Sequence, residues 1–233
     1  MPSFLRLLCI IIAQLWAVNA NVEKTVFLGP SPVTLPNVTP SLDDLRLDTL
    51  DPAHLAILAT KLPVQFPSRS APRGLESWYL LRGLEDGRRY EVRICWPATQ
   101  PTDFWLDAYS VAHVFDTPSL ISSLADYSDK RQAPEWDELG HSGEEAPPQS
   151  ILFLRVQAAA SYYSSNRTLM EHPLPVDVDI ILDPFILNIL PHSLGPTAIY
   201  ISIVSGAAWF LSGYVYCWLL SVANEHPSKA HPD

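Results

Sequence analysis

Asp177-Val178-Asp179 is the one stretch of this chain whose residue types and spacing match a catalytic motif. Asp-x-Asp is the pair with which many sugar-nucleotide transferases hold a divalent metal on a diphosphate. Here it lies in Pro175 to Ile181 (PVDVDII), which alternates with period two and predicts a strand. Both carboxylates then point to one face. The same pattern also describes a half-buried strand with one solvated side. Asp-x-Asp is common by chance, and the chain lacks the strand–helix alternation of a nucleotide-binding α/β domain. The solvated strand is the favoured reading.

Other chemistry finds no support in the spacing. A Gly-rich phosphate loop and Gly-x-Ser-x-Gly are both absent. His113 and His141 lie in poorly patterned surroundings, with no adjacent nucleophile that spacing would nominate. Cys95 with scattered histidines supplies no zinc ligand set. Glu135, Asp137, Glu138, Glu144 and Glu145 lack the alternate carboxylates, central Gly and closing Glu of a calcium loop. They predict a solvated acidic loop over 129–150. The expectation is a protein with no catalytic, cofactor-binding or metal-binding residues of its own.

The rest of the chain is organised around Thr197 to Ala223, which contains no Asp, Glu, Lys, Arg or His. As a helix it exceeds the roughly 20 residues needed to cross a bilayer. Pro196 suits the helix start, and Asn224, Glu225 and His226 end the apolar run. Leu7 to Trp16 is a shorter apolar run behind Arg6, followed by Val18-Asn19-Ala20. This predicts a cleaved signal peptide over 1–20, with cleavage between Ala20 and Asn21. The expected layout is a lumenal β-rich domain over 21–196, a transmembrane helix over 197–223 and a cytosolic tail over 224–233.

The chain has 233 residues, 22 prolines and a formal charge of −10. The acidity argues against nucleic acid and against a basic patch on anionic lipid. The prolines favour strands and turns over a helical bundle. Cys9 falls in the signal and Cys217 in the apolar run, so Cys95 alone remains in the expected lumenal domain. No intrachain disulfide is available there. Cys95 reads as a small buried hydrophobe, with an intermolecular bridge as the alternative.

Strands are predicted at Val22 to Leu28, Ser77 to Leu81, Glu91 to Trp96, Phe104 to Tyr109 and Ile151 to Tyr163. A short helix is predicted over Pro52 to Lys61, capped by Asp51, and another from Pro118 to about Tyr127, capped by Thr117. Phe185 to Leu190 is apolar and close to the span. It is expected either to pack under the domain or to lie at the membrane surface. Asn37 and Asn166 head Asn-x-Thr glycan acceptors.

Tyr90, Val92, Ile94 and Trp96 alternate with Glu91, Arg93 and Cys95, giving one apolar and one largely charged face. Leu84, a Gly87-containing turn and then Tyr90 opening the strand resemble the tyrosine corner of immunoglobulin-like and fibronectin-like sandwiches. The predicted fold class is mainly β, a lumenal sandwich of that kind on a single C-terminal transmembrane helix. Ala198, Ser202 and Gly206 recur every four residues on one helix face, and Ala208 and Ser212 repeat the spacing. Small residues let helices approach closely in lipid. The functional reading is docking against another membrane protein.

Val22 to Leu28, Arg89 to Trp96, Ala98-Thr99-Gln100-Pro101 and the terminal span together resemble the fungal co-activator subunits of GPI mannosyltransferase II. The resemblance implies a non-catalytic, single-pass subunit of the endoplasmic-reticulum membrane. It implies as partner the multi-span catalytic subunit that adds the second mannose to the GPI precursor from dolichol-phosphate mannose. It supplies no catalytic residues. The alternatives are a cargo receptor or folding helper, or a lumenal glycosyltransferase or hydrolase using Asp177 and Asp179.

Overall fold

The computed structural model describes residues 22–32, 42–131 and 149–225. The expected signal with its Ala20–Asn21 cleavage site, Asn37, acidic-loop residues 132–148 and tail residues 226–233 lie outside them. Two sheets face each other across one core. The first runs in the order β1 (Val22–Leu28), β5 (Arg89–Cys95), β8 (Val176–Ile186), β3 (Ile57–Leu62), with β9 (Leu190–Pro191) folded back on the end of β8. The second runs β2 (Asp48–Leu50), β4 (Leu75–Leu81), β7 (Leu152–Ala160), β6 (Thr102–Ser110). Neighbouring strands are antiparallel, except that β2 runs parallel to β4.

The period-two pattern sets the inner faces. Tyr90, Val92 and Ile94 of β5 and Val176, Val178, Ile180 and Leu182 of β8 meet Tyr79, Leu81, Leu106, Leu154 and Val156 of the second sheet. Burying such a set supplies most of the drive to fold, at about 25 cal/mol per Å² of apolar surface. The near-continuous apolar runs of β4 and β7 have a separate cause. Their outer faces are covered by α1 (Val111–Asp116) and α2 (Pro118–Arg131), which pack Val114, Leu120 and Leu124 on Trp78, Leu80 and Phe153. The Trp78 indole donates to Ser123 Oγ in α2 at 3.0 Å, fixing the helix to the sheet. Helix α2 begins at Pro118, as its sequence predicts, and extends through Asp129 to Arg131 into the stretch read as acidic loop.

The predicted helix over Pro52 to Lys61 is a correction. Asp51 does cap, its Oδ1 accepting from Ala53 N at 2.7 Å, but a single turn forms and closes with Leu55 N on Asp51 O. The chain then enters β3, which pairs with β8 from Ile57↔Ile181 to Leu62↔Val176. One turn of helix is a poor nucleus, and the open edge of β8 offers a run of backbone partners. Leu58, Thr60 and Leu62 turn inward while Ile57, Ala59 and Lys61 face out. The sequence Ile57–Leu62 itself shows no apolar–polar alternation, so the strand is set by its pairing with β8 rather than by its own pattern.

Tyr90 is fully buried, and its hydroxyl accepts a hydrogen bond from Glu85 N at 2.9 Å, five residues upstream. Burial holds the phenol above its ordinary pKa, so it stays protonated and neutral. Gly29 packs on the same loop. Its N–H donates to Arg88 O, its carbonyl accepts from Gly87 N, and a Cβ there would stand 2.1 Å from Glu85 O. Tyr90→Phe is expected to cost about 1–2 kcal/mol, the loss of one part-buried hydrogen bond. Gly29→Ala is expected to cost more, because the obstacle is backbone. Melting curves showing Tyr90→Phe below Gly29→Ala in stability would contradict this ordering.

Candidate functional site

Among the described residues, the long helix that the rest of the fold leaves unburied is α4 (Gly195–Glu225). With the 3-10 turn before it, the segment His192–Asn224 is 33 residues long, and its most apolar 18-residue stretch has a mean hydropathy of 1.5 and is nowhere buried. It is long and apolar enough to cross a membrane. Among the described residues it is the one helix that is. Ala198, Ser202 and Gly206 fall within it at one-turn spacing, and Ser202 Oγ donates back to Ala198 O at 2.8 Å. Ala208 and Ser212 form a second row, turned by about 200° from Gly206 at 3.6 residues per turn. Gly213, seven residues beyond Gly206, extends the first row. It was missed because it breaks the four-residue spacing. A Cβ on Gly206 or Gly213 would meet nothing within 4 Å. Nothing in the described chain therefore needs these residues to be small.

The joint between this helix and the sheets is built from charges. Glu91 and Asp183 are directly opposed on β5 and β8, and Lys24 and Arg93 are directly opposed on β1 and β5, all on the outer face of the first sheet. Like charges opposite one another repel, but the two rows interleave. Lys24 Nζ lies 3.0 Å from Glu91, and Arg93 lies 3.6 Å from Glu91 and 3.5 Å from Asp183. The Glu91 and Asp183 side chains are only 5% and 6% exposed. What covers this end of the sheet is β9 with the 3-10 turn His192–Leu194. Ser193 N donates to both Asp183 oxygens at 3.3 Å, and Arg93 donates to Ser193 Oγ at 3.2 Å. The charged face legible in the sequence is thus a brace that holds the connector to α4.

Asp177 and Asp179 do share an exposed face of β8. They line an open groove with Lys61, Cys95 and Trp96. Lys61 Nζ, cross-strand from Asp177, sits 2.9 Å from its Oδ1, and Asp177 N donates to Gln100 Oε1 at 3.0 Å. The lysine hydrogen bond holds the Asp177 carboxyl below the usual carboxylate range. A metal on that oxygen would have to displace the lysine. Among the described residues no three of His, Cys, Asp and Glu cluster as metal ligands. His113 instead stacks on Tyr109 at the start of α1. Cys95 is half-buried on the outer face rather than in the core, and it is a free thiol.

Asn166 is exposed and caps α3 (Arg167–Glu171), its Oδ1 accepting from Thr168 N at 3.0 Å. The cap uses the side-chain oxygen, whereas a glycan attaches through the amide nitrogen.

The described residues define a class of protein, a two-sheet domain braced to one unpartnered apolar helix. The chain belongs to the family of GPI-mannosyltransferase II co-activators, whose model matches residues 76–212, from β4 into α4. It is similar to a GPI mannosyltransferase 2 subunit of Schizosaccharomyces pombe, with 22% identity over 152 residues. That alignment covers 65% of this chain and 62% of the relative, so the chain spans less than two thirds of the relative's length. No solved structure matches.

Proposed function

We propose that this protein is a non-catalytic, stabilising subunit of the endoplasmic-reticulum mannosyltransferase that adds the second mannose to the GPI precursor. The observation that carries the reading is α4, apolar, with none of its most apolar stretch buried, and carrying glycines at 206 and 213 that nothing in the described chain requires to be small. In lipid such a surface binds another helix by close approach. Family membership points to the occupant, a multi-span catalytic subunit. In this reading α4 is a single span, residues 21–196 are lumenal behind a cleaved signal, and residues 224–233 are cytosolic. The Tyr90–Glu85 bond supports an immunoglobulin-like or fibronectin-like reading of the two sheets.

Purification of the tagged protein in gentle detergent from its own membranes is the direct test. One multi-span mannosyltransferase at equal ratio is the expected result. A broad set of secretory clients would instead establish a cargo receptor or folding helper. Asp177→Ala and Asp179→Ala are expected to leave mannosyl transfer by the purified complex unchanged. Loss of transfer with assembly intact would place the pair in the chemistry. Asn166→Gln is expected to remove one glycosidase-sensitive step in gel mobility. No change in mobility would show that this acceptor is unoccupied.

A further inference from the structure

The turn between β8 and β9 carries apolar side chains where the fold offers them nothing to touch. Leu187 is 86% exposed and Ile189 78%, and Leu194 follows them into the base of α4. The turn is strained. Leu187 and Asn188 both have positive φ, 51° and 58°, a conformation that glycine adopts readily and a leucine rarely does. It is nevertheless fixed. Ile189 N donates to Ile186 O at 3.0 Å, Asn188 Oδ1 accepts from Arg89 N at 2.8 Å, and Asn188 Nδ2 donates to Gly87 O at 3.1 Å. The tip is therefore a rigid apolar point held out into its surroundings. Its position identifies those surroundings. A Cβ on Gly195, the first residue of α4, would stand 3.4 Å from Ile186 Cδ1. Leu194 directly precedes α4, and Ile186, which meets the first residue of that helix, directly precedes the Leu187–Ile189 tip.

We propose that the Leu187–Ile189 tip, with Leu194, inserts into the headgroup–acyl boundary of the leaflet from which α4 enters the membrane. This rests on the reading that α4 spans. The tip and the helix then hold the first sheet to the bilayer at two points, and the brace of Glu91, Arg93, Asp183 and Ser193 transmits that constraint to the domain. Two contacts fix a tilt that a single flexible linker would leave free. Arg88 and Arg89 flank the turn, Arg89 lying over the Phe185 ring at 5.8 Å, where a guanidinium can meet lipid phosphate. Insertion of the apolar side chains supplies the attraction.

The test uses the full chain with Cys9, Cys95 and Cys217 replaced by serine, reconstituted in nanodiscs of phosphatidylcholine and phosphatidylinositol without the partner. An environment-sensitive fluorophore is placed in turn at Leu187→Cys, Ile189→Cys, Trp209→Cys and Leu174→Cys. Leu174 precedes β8 and Leu187 follows it, so the two are separated by the strand's length of about 36 Å at 3.3 Å per residue. The expected result is shallow quenching by nitroxide lipids and blue-shifted emission at 187 and 189, deep quenching at 209 and neither effect at 174. Quenching at 209 without quenching at 187 and 189 overturns the proposal while leaving the span in place. Protection of 187 and 189 only after the catalytic subunit is added also overturns it, because the occupant is then protein. No quenching at 209 removes the span and the proposal together.

Discussion

Arg93→Met will lower the stability of the two-sheet domain by about 3 kcal/mol, the low end of the cost of breaking a buried ion pair. The loss of one arginine leaves Glu91 and Asp183, opposed on neighbouring strands and almost fully buried, without the guanidinium between them. The low end applies because Arg93 itself is 24% exposed and Lys24 still reaches Glu91 at 3.0 Å. For a domain of this size the melting temperature should fall by about 6–12 °C, followed by tryptophan fluorescence of the full chain in detergent. A structural brace also predicts rescue. Arg93→Met combined with Glu91→Gln and Asp183→Asn should recover most of the loss, since no uncompensated buried charge remains. The single variant should in addition speed hydrogen exchange across 190–195, because Ser193 loses its arginine partner. A variant that melts with the parent would show that the charged face does not hold the connector.

Gly206→Leu is the second large effect, and it appears in assembly rather than in folding. A side chain forced into a close helix–helix contact costs about 1–3 kcal/mol, roughly a five- to 150-fold loss of association. The domain's own melting temperature should not move, because nothing in the described chain lies within 4 Å of the new Cβ. Ala207→Leu is the matched control. It makes a similar small-to-large change about 100° around the helix from Gly206, off both small-residue rows. Quantitative co-purification of the catalytic subunit with each variant is the measurement. Equal recovery with Gly206→Leu and Ala207→Leu would remove the Ala198–Ser202–Gly206 face from the interface.

The sequence by itself determined what depends on local pattern. A run from 197 to 223 without charge can be little other than an apolar helix, and α4 covers it. Period-two alternation around Tyr90 and around Val178 placed β5 and β8, because strand and core face are both written in successive residues. The Tyr90 hydroxyl bond was legible because its two ends are five residues apart. Arg89 to Trp96 and the terminal apolar run also carry part of the resemblance to the family to which the chain belongs.

Tertiary structure alone decided what depends on distant partners. The helix signal at Asp51–Pro52 was real but short, and pairing of Ile57 with Ile181 outweighed it. Glu91 and Arg93 read as part of a largely charged face. Only the connector folding back, with Ser193 on Asp183, buries them and turns surface charge into a brace. The left-handed Leu187 has no sequence signature, since glycine or asparagine is the residue such a turn ordinarily recruits. In each case the deciding free energy comes from a strand or segment brought close by the fold, and no window of neighbouring residues contains it.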